Sequence, residues 1–451
     1  MEAPINIKLF EWGYKEYKYL QEPEDITSYL DGFQSYLNEV WESRNYYREQ
    51  EDSEEGNEER GAKEQRFFTF SLDGFKARNY VGIVQYNGKR IEVYPKIFRD
   101  SKEPDYRSYF NNLFYWLSYC RRLNFPVSKS ALDEVSKEDD FLEALIYLFA
   151  HYTEEVLTEQ PFQAFEEVLE ETPFLRGRLA MPEYIQQNVI TGRWQYFQSE
   201  YEPLLYDNLF NRIVKYTSRI LLELSTNERN RSKLQEIQFL LDEVSDCVCV
   251  AADCDKVKLN PLYSNLADIL QLCKMFLSNL TISNDTPAES NFCFLLPMEY
   301  VFEDFIFSFI KEHFPELKPE EQVGGFLARS QDRNVFKIKN DILIKNRKLI
   351  VDTKYKIRHD DRDGKAGVSQ NDLYQMLAYA VKRAYHDVLL LYPEKVEEEK
   401  ESVATEFLID SPFTHGKPVK IKAADVDIYN STITELDTQI YSQLKGLLIK
   451  A

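Results

Sequence analysis

Asp341-Ile-Leu-Ile-Lys-Asn-Arg-Lys-Leu-Ile-Val-Asp-Thr-Lys-Tyr-Lys356 is the stretch on which the reading of this chain turns. Ile342, Leu343 and Ile344 form one apolar run, and Leu349, Ile350 and Val351 form a second. The polar, turn-compatible Lys345-Asn346-Arg347-Lys348 lies between them, so two buried strands joined as a hairpin are expected. A turn centred on Asn346 and Arg347 pairs residues whose numbers sum to 693 and sets Asp341 opposite Asp352. Like charges facing each other across a ladder destabilise it by up to roughly 1 kcal/mol. Strand alternation points Asp352 and Lys354 to one face and Thr353 to the other. Two carboxylates and an ammonium therefore converge at the end of an otherwise apolar hairpin. A divalent cation held by the carboxylates would remove the repulsion and supply chemistry.

The rest of the chain sets the limits of that idea. At 451 residues, with 43% hydrophobic and 14% aromatic content, it is long enough for several packed cores. No window approaches the roughly 18 uninterrupted apolar residues of a membrane span. The start, Met1-Glu-Ala-Pro-Ile-Asn, lacks the basic and apolar regions of a signal peptide, so a soluble, cytoplasmic protein is expected. Six cysteines are too sparse for a disulfide framework. Cys247, Cys249 and Cys254 lack the paired spacing and neighbouring histidines of a zinc site and read as buried thiols on a strand. The net charge of -21 argues against nucleic acid only if the charge is uniform. It is not: from Phe326 to His359, ten Lys and Arg stand against three acids, a local excess of +7 around the hairpin. Phosphate attraction is a local field effect, so this segment suits a nucleic-acid substrate; a solvated hairpin surface is the plainer explanation of the same charges.

An α+β, multidomain fold is expected, with a β-rich part over 1–130, a helical part over 131–290 and an α/β part over 291–451. Ile5 to Phe10 alternates as a strand, and Asp25 to Trp41 has helical spacing. Glu49 to Lys63 is an exposed acidic loop or arm. Phe67 to Leu72, Tyr80 to Gln85 and Arg90 to Phe98 are strand-like, the last two joined by Asn87-Gly88, a strong hairpin signal. Helices are expected over Asp105 to Leu123, Phe141 to Leu157, Phe162 to Leu169, Leu204 to Leu224, Arg229 to Val248 and Tyr263 to Leu280. Gly177, in Phe174-Leu-Arg-Gly-Arg-Leu-Ala, marks a special backbone position in a strand or turn, and Asn208 and Asn211 read as capping or packing groups. Thr281 to Asn291 is the best candidate boundary. Beyond it come a helix over Pro297 to His313, a strand over Asn334 to Ile338 and a helix from a cap at Ser369 or Asn371 to Ala384. Strands follow at His386 to Tyr392, Thr405 to Ile409 and Ala424 to Tyr429, with an acidic turn over Glu394 to Glu401 and a last helix over Thr434 to Lys450.

Phosphodiester hydrolysis needs an activated water and stabilisation of charge on the phosphate. Mg²⁺ held by one or two carboxylates supplies both. Asp341 and Asp352 are the expected ligands, with the Thr353 carbonyl completing the shell while its side chain points away. Lys354 would orient the water or neutralise the developing charge. On the helix after Pro297, Glu303 lies near the apolar stripe and is a supporting candidate, with Glu299 as its competitor. Gln375 and Tyr379, spaced i and i+4, share a helix face and would orient Lys354 or touch a phosphate; in isolation such a pair is more often ordinary packing.

The ordered set Glu303, Asp341, Asp352-Thr353-Lys354 resembles the PD-(D/E)xK nuclease superfamily, and Gln375-x-x-x-Tyr379 matches the helix motif of its RecB-like branch. Asn340 stands where the motif has proline. A nearer resemblance is to the McrC family, the nuclease subunit of McrBC-type modified-cytosine restriction systems. It is carried by Leu296-Pro-Met-Glu-Tyr-Val-Phe-Glu-Asp-Phe, Ile350-Val-Asp-Thr-Lys-Tyr-Lys and Asp372-Leu-Tyr-Gln-Met-Leu-Ala-Tyr-Ala. Val81-Gly-Ile-Val, Ile91-Glu-Val-Tyr-Pro-Lys-Ile and Phe174-Leu-Arg-Gly-Arg-Leu extend it over nearly the whole chain. The resemblance implies a restriction-endonuclease-like C-terminal domain and a Mg²⁺-dependent DNA endonuclease (Mn²⁺ a possible substitute) acting on double-stranded DNA. It also implies an AAA+ GTPase partner of the McrB type, with GTP bound on that partner and with the N-terminal part docking on its ring. Lys89 or Arg90 is a candidate contact there. No Gly-x4-Gly-Lys-Ser/Thr loop occurs, consistent with a motor on another chain. A catalytically inactive scaffold that activates the GTPase and a RecB-like repair nuclease are the competing readings.

Overall fold

The computed structural model describes residues 5–20, 26–43, 65–120, 140–260, 264–281, 291–331, 333–358, 364–396, 404–410 and 416–449. The acidic loop expected over Glu49 to Lys63 lies outside them, as do most of the candidate boundary after Thr281 and part of the acidic turn after Glu394. The architecture is α+β with several sheets. It divides into two compact units: residues 1–144, 281–283 and 289–451 form one, and residues 145–280 and 284–288 the other.

Near the N-terminus come β1 (Ile5–Phe10), β2 (Tyr14–Glu16), α1 (Ile26–Ser43), β3 (Phe68–Phe70), β4 (Gly74–Ala77), β5 (Tyr80–Tyr86), β6 (Lys89–Tyr94) and α2 (Tyr106–Ser118). Asn87 and Gly88 both adopt positive φ, 46° and 72°, and close the β5–β6 hairpin on the pair Tyr86 and Lys89. That backbone matches the twist of the flanking strands, which is why Asn-Gly signals it. β6 ends at Tyr94, short of the expected Phe98, because Lys96–Phe98 turns into a 3-10 helix after Pro95. Arg90 is buried, its guanidinium bonded to Gln85 and Asp140, so it cannot be the partner contact suggested for it.

The middle unit takes in most of α3 (Phe141–Glu159), followed by β7 (Ala164–Phe165), β8 (Val168–Thr172), β9 (Arg178–Leu179), β10 (Phe197–Tyr201), β11 (Leu204–Leu205), α4 (Leu209–Leu224), α5 (Glu228–Leu240) and α6 (Ser264–Asn279). The helix expected over Phe162 to Leu169 is instead β7 and the start of β8. Pairing of β8 with β10 outweighs local helix preference there. Gly177 has φ 62°, and a Cβ there would lie 2.5 Å from the Glu200 carbonyl oxygen, so glycine is required. α4 begins five residues later than expected, because Asn208 caps it by accepting from the Asn211 N–H at 3.1 Å. Cys247, Cys249 and Cys254 are not on a strand; the first two lie in an irregular segment, with Sγ atoms 3.3 Å apart, and Cys254 ends a short helix. Burial pushes the Cys249 thiol up to about 12 and Cys254 to about 11, so both stay protonated.

After β12 (Leu280–Thr281) come β13 (Asn291–Pro297), α7 (Met298–His313), β14 (Glu320–Ser330), β15 (Arg333–Ile344), β16 (Leu349–Thr353), α8 (Gln370–Arg383), β17 (Asp387–Pro393), β18 (Thr405–Ile409), β19 (Val419–Val426) and α9 (Ile433–Ile449). β13, unforeseen from the sequence, pairs with β5 and so joins the sheet of the N-terminal strands. The strand expected at Asn334 to Ile338 is one continuous piece with the first hairpin strand, and β14, also unforeseen, lies beside it. The resulting six-stranded sheet runs β14-β15-β16-β17-β19-β18, with β16, β17 and β19 parallel. All five residues of β16 are buried, which explains the unbroken apolar run that announced it. One sheet face packs on α8 through Leu343, Ile350, Met376, Ala380, Val388 and Leu390.

Candidate active site

The hairpin has the expected register. Ile342 pairs with Val351, Leu343 with Ile350 and Ile344 with Leu349, each pair summing to 693. A 3-10 turn over Lys345–Arg347 and a left-handed Lys348, φ 51°, close it. Asp341 and Asp352 follow the last pair, where the two strands part. Asp341 reaches across that opening, and both the N–H and the hydroxyl of Thr353 donate to its Oδ2, at 2.8 and 3.0 Å. The Thr353 side chain therefore turns toward Asp341, not away as strand alternation suggested, because the carboxylate past the end of the ladder is free to come to it. On the other flank, the Lys354 N–H donates to the Leu391 carbonyl at 2.8 Å and extends the parallel pairing with β17.

Asp352 is 1% exposed. Its Oδ2 lies 2.8 Å from Lys354 Nζ, and its Oδ1 has no hydrogen-bond partner among the described residues. Burial, reinforced by the Asp341 charge and opposed by Lys354, pushes its carboxyl up to about 7. Burial favours a neutral Lys354, but Asp352 and Asp341 outweigh it and hold the ammonium charged. A buried pair of this kind is weak evidence for stability, since desolvation offsets most of the Coulomb attraction. An orphaned carboxylate oxygen beside a second carboxylate is instead what a cation site needs. No cluster of three His, Cys, Asp or Glu with metal-holding geometry occurs among the described residues, so the donor set does not suit zinc. Two aspartates with a backbone carbonyl do suit Mg²⁺, which keeps several waters and takes one or two carboxylates.

The supporting residues fall into place unevenly. The Gln375 amide donates to the Tyr379 hydroxyl at 2.8 Å, and Tyr379 lies close enough to Asp352 and Lys354 for both charges to act on it. Glu303 accepts from the Gln322 amide at 2.8 Å. Gln322 sits between Glu321, paired with Ile342, and Val323, paired with Asn340, and so faces Asp341. Glu303 thus comes within one hydrogen-bonded residue of Asp341. Glu299 belongs elsewhere, beside Glu11, Lys96 and Tyr355.

Three features escaped sequence reasoning. Asp372, buried on α8, takes the Lys356 ammonium at 2.9 and 3.1 Å, and Arg358 binds Asp425 through two nitrogens at 2.6 and 2.7 Å. The alternation Lys354-x-Lys356-x-Arg358 was the available signal, but the acidic partners come from α8 and β19. The third is a buried cluster behind Lys354. The Tyr355 hydroxyl and the Lys96 N–H donate to Glu11 Oε2 at 2.8 and 2.9 Å, and the Lys96 ammonium donates to the Tyr355 carbonyl at 2.6 Å. Residues from the end of β1 and from the turn after β6 thereby hold the backbone next to Lys354. No local pattern announces partners so far apart in sequence.

Comparison with known proteins adds the ancestry. No curated protein matches the sequence. Among solved structures, a chain of the refined half-complex from a tetradecameric assembly of Thermococcus gammatolerans McrB AAA+ hexamers with bound McrC is 20% identical, with a TM-score of 0.70 over 98% of this chain and 100% of that one. A chain of the cryo-EM structure of the Thermococcus gammatolerans McrBC complex is 21% identical, with a TM-score of 0.51 over 68% of this chain and 88% of that one. At these identities the likeness is one of fold. The family described as McrBC 5-methylcytosine restriction system component matches residues 75–393, most of the chain. The resemblance met in the sequence is therefore one of descent, and the chain belongs to the McrBC 5-methylcytosine restriction system component family.

Proposed function

We propose that the chain is the nuclease subunit of a GTP-driven, modification-dependent restriction complex, with a PD-(D/E)xK site that hydrolyses phosphodiester bonds of double-stranded DNA. The observation that carries this reading is Asp352, a buried carboxylate with one oxygen on Lys354 and the other unpartnered, beside Asp341. Asp341, Asp352 and the Thr353 carbonyl would hold Mg²⁺, or Mn²⁺ in its place. The bound cation would polarise the scissile phosphate and bring a water toward hydroxide at neutral pH.

The chain's own groups do the rest. Thr353 fixes the Asp341 carboxylate through two hydrogen bonds, so that ligand is pre-oriented. Lys354, kept charged by the two aspartates, neutralises charge developing on the phosphate and holds the attacking water. Tyr379, oriented by Gln375, presents a hydroxyl to the same place. Glu303 on α7 and Gln322 on β14, bonded to each other, lie on the strand side of Asp341 as a supporting pair.

The motor is assigned to a separate AAA+ GTPase of the McrB type, which binds the GTP and whose turnover this chain stimulates. The solved relatives, described as McrB hexamers with bound McrC, support that assignment. The test is cleavage of methylated and unmethylated duplexes with Mg²⁺ and GTP by the chain co-expressed with its partner, against Asp352→Ala. Cleavage by the wild type and loss in the variant are expected. Equal cutting by both refutes the catalytic assignment, and no cutting by either with GTPase stimulation retained makes the chain an inactive activator.

A further inference from the structure

β14 and β15 are much longer than the strands beside them. They pair from Glu320 with Leu343 to Ser330 with Arg333, whereas β15 pairs with β16 only from Ile342 to Ile344. The strands from Val323 to Asn340 therefore leave the sheet as a two-stranded ribbon. Between those residues the sequence carries Arg329, Arg333, Lys337 and Lys339 against a single acid, Asp332. Arg329, Arg333 and Lys337 are exposed, and none of the four basic residues has an ion-pair partner among the described residues. In a chain of net charge -21 that cluster is a local exception.

The ribbon also carries apolar surface turned outward. Phe336 is 72% exposed, and Phe326 and Leu327 are each 42% exposed. Phe336 holds φ at 56°, a left-handed conformation that a bulky side chain rarely adopts and that marks functional positions when it persists. The base of the ribbon is clamped. Arg383 of α8, the helix of Gln375 and Tyr379, donates to Asn340 Oδ1 at 3.0 Å and to the Val323 and Gly324 carbonyls at 2.7 and 2.9 Å. Lys337, Lys339 and Asp341 then follow one another at strand spacing toward the site.

We propose that this ribbon is a DNA-binding arm that lies in the major groove of duplex DNA while the scissile phosphate sits at Asp341, Asp352 and Lys354. The choice of ligand rests on the nuclease reading. The fit is dimensional as well as electrostatic. Eight residues separate Arg333 from Asp341, about 27 Å at strand rise, or roughly eight base pairs. The major groove, about 12 Å wide, admits a two-stranded ribbon. The basic side chains meet phosphates along the groove edges, and Phe336 meets the base edges.

The test is binding of the full-length chain to a fluorescein-labelled, unmodified 30-base-pair duplex in EDTA, where no cleavage occurs, across a series of KCl concentrations. In the variant R329A/R333A/K337A/K339A, affinity should fall at least tenfold at low salt. The slope of log K against log salt should become shallower by up to about 3.6, or about 0.9 for each phosphate that the variant leaves unneutralised. Phe336→Gly relieves the left-handed backbone and removes the ring, so affinity should fall about tenfold with the slope unchanged and the fold no less stable. The proposal is overturned if both variants bind as the wild type does, if the wild type binds without salt dependence, or if the substitutions leave DNA binding intact and abolish co-purification with the GTPase. Asp352→Ala separates the two readings. If it cuts like the wild type while the ribbon variants lose binding, the nuclease assignment fails and the arm stands. If it is inactive and the ribbon variants bind normally, the arm alone fails.

Discussion

Glu11 offers a test whose magnitude follows from its surroundings. The side chain is fully buried, Oε2 accepts from Tyr355 and Lys96, and Oε1 has no hydrogen-bond partner among the described residues. Burial raises its carboxyl from the ordinary 4.5 to about 7, against the pull of Lys96. The native state therefore keeps its proton up to about pH 7, whereas the unfolded chain releases it near 4.5. The stability this represents is fully present below pH 4.5 and is lost as pH rises through about 7. At about 1.36 kcal/mol per pH unit, that gap amounts to about 3 kcal/mol. Glu11→Gln keeps an oxygen for Tyr355 and Lys96 but has no proton to lose. Guanidinium unfolding followed by tryptophan fluorescence should find it more stable than the wild type by up to about 3 kcal/mol at pH 8, with the two converging toward pH 4.5. Cleavage should survive, because the backbone beside Lys354 stays held, while Glu11→Ala should lose both. A wild-type–variant difference that is the same at pH 5 and pH 8 refutes the argument, and a Gln variant less stable at both shows that the Glu11–Lys96 charge attraction prevails over burial.

Lys354→Met removes the ammonium from a 1% exposed Asp352. Cleavage should vanish and stability at pH 8 should fall by about 3–5 kcal/mol, the cost of breaking a buried pair from one side. The loss should shrink at pH 5, where Asp352, raised to about 7, is protonated; a variant more stable than the wild type would contradict this. Tyr379→Phe should slow cleavage about tenfold in kcat, the worth of one hydrogen bond, with KM and melting temperature nearly unchanged. An unchanged kcat would make Tyr379 a packing residue. Arg383→Ala should raise amide hydrogen exchange across Val323–Asn340 by weakening the ribbon base by about 1.5–3 kcal/mol; protection equal to the wild type would show that the clamp is idle.

Much of this was legible locally. The hairpin register, the Asn87-Gly88 turn, the special backbone of Gly177, the capping role of Asn208 and the Gln375–Tyr379 pair all follow from short-range rules, and each has its expected geometry. Two of the strands that were missed depend on a distant neighbour: β8 pairs with β10 and β13 with β5, and a segment's own residues do not say what lies beside it. β14 folds straight back onto β15, Ser330 opposite Arg333, but none of its residues is buried, so no apolar alternation announces it. Thr353 was misjudged for a related reason. Alternation assumes a continuing ladder, and the ladder ends one residue before Asp341.

The sequence by itself determined the composition of the candidate site: two aspartates and a lysine on apolar strands inside a basic segment of an acidic chain. Tertiary structure alone decided their state. Burial leaves Asp352 with an unpartnered oxygen and a raised carboxyl, and Asp341 and Asp352 keep Lys354 charged. Glu11 and Lys96, from the start of the chain, fix the backbone beside it. Proton affinity and orientation depend on desolvation and on charges brought together through space, and neither quantity is encoded at the position where it acts.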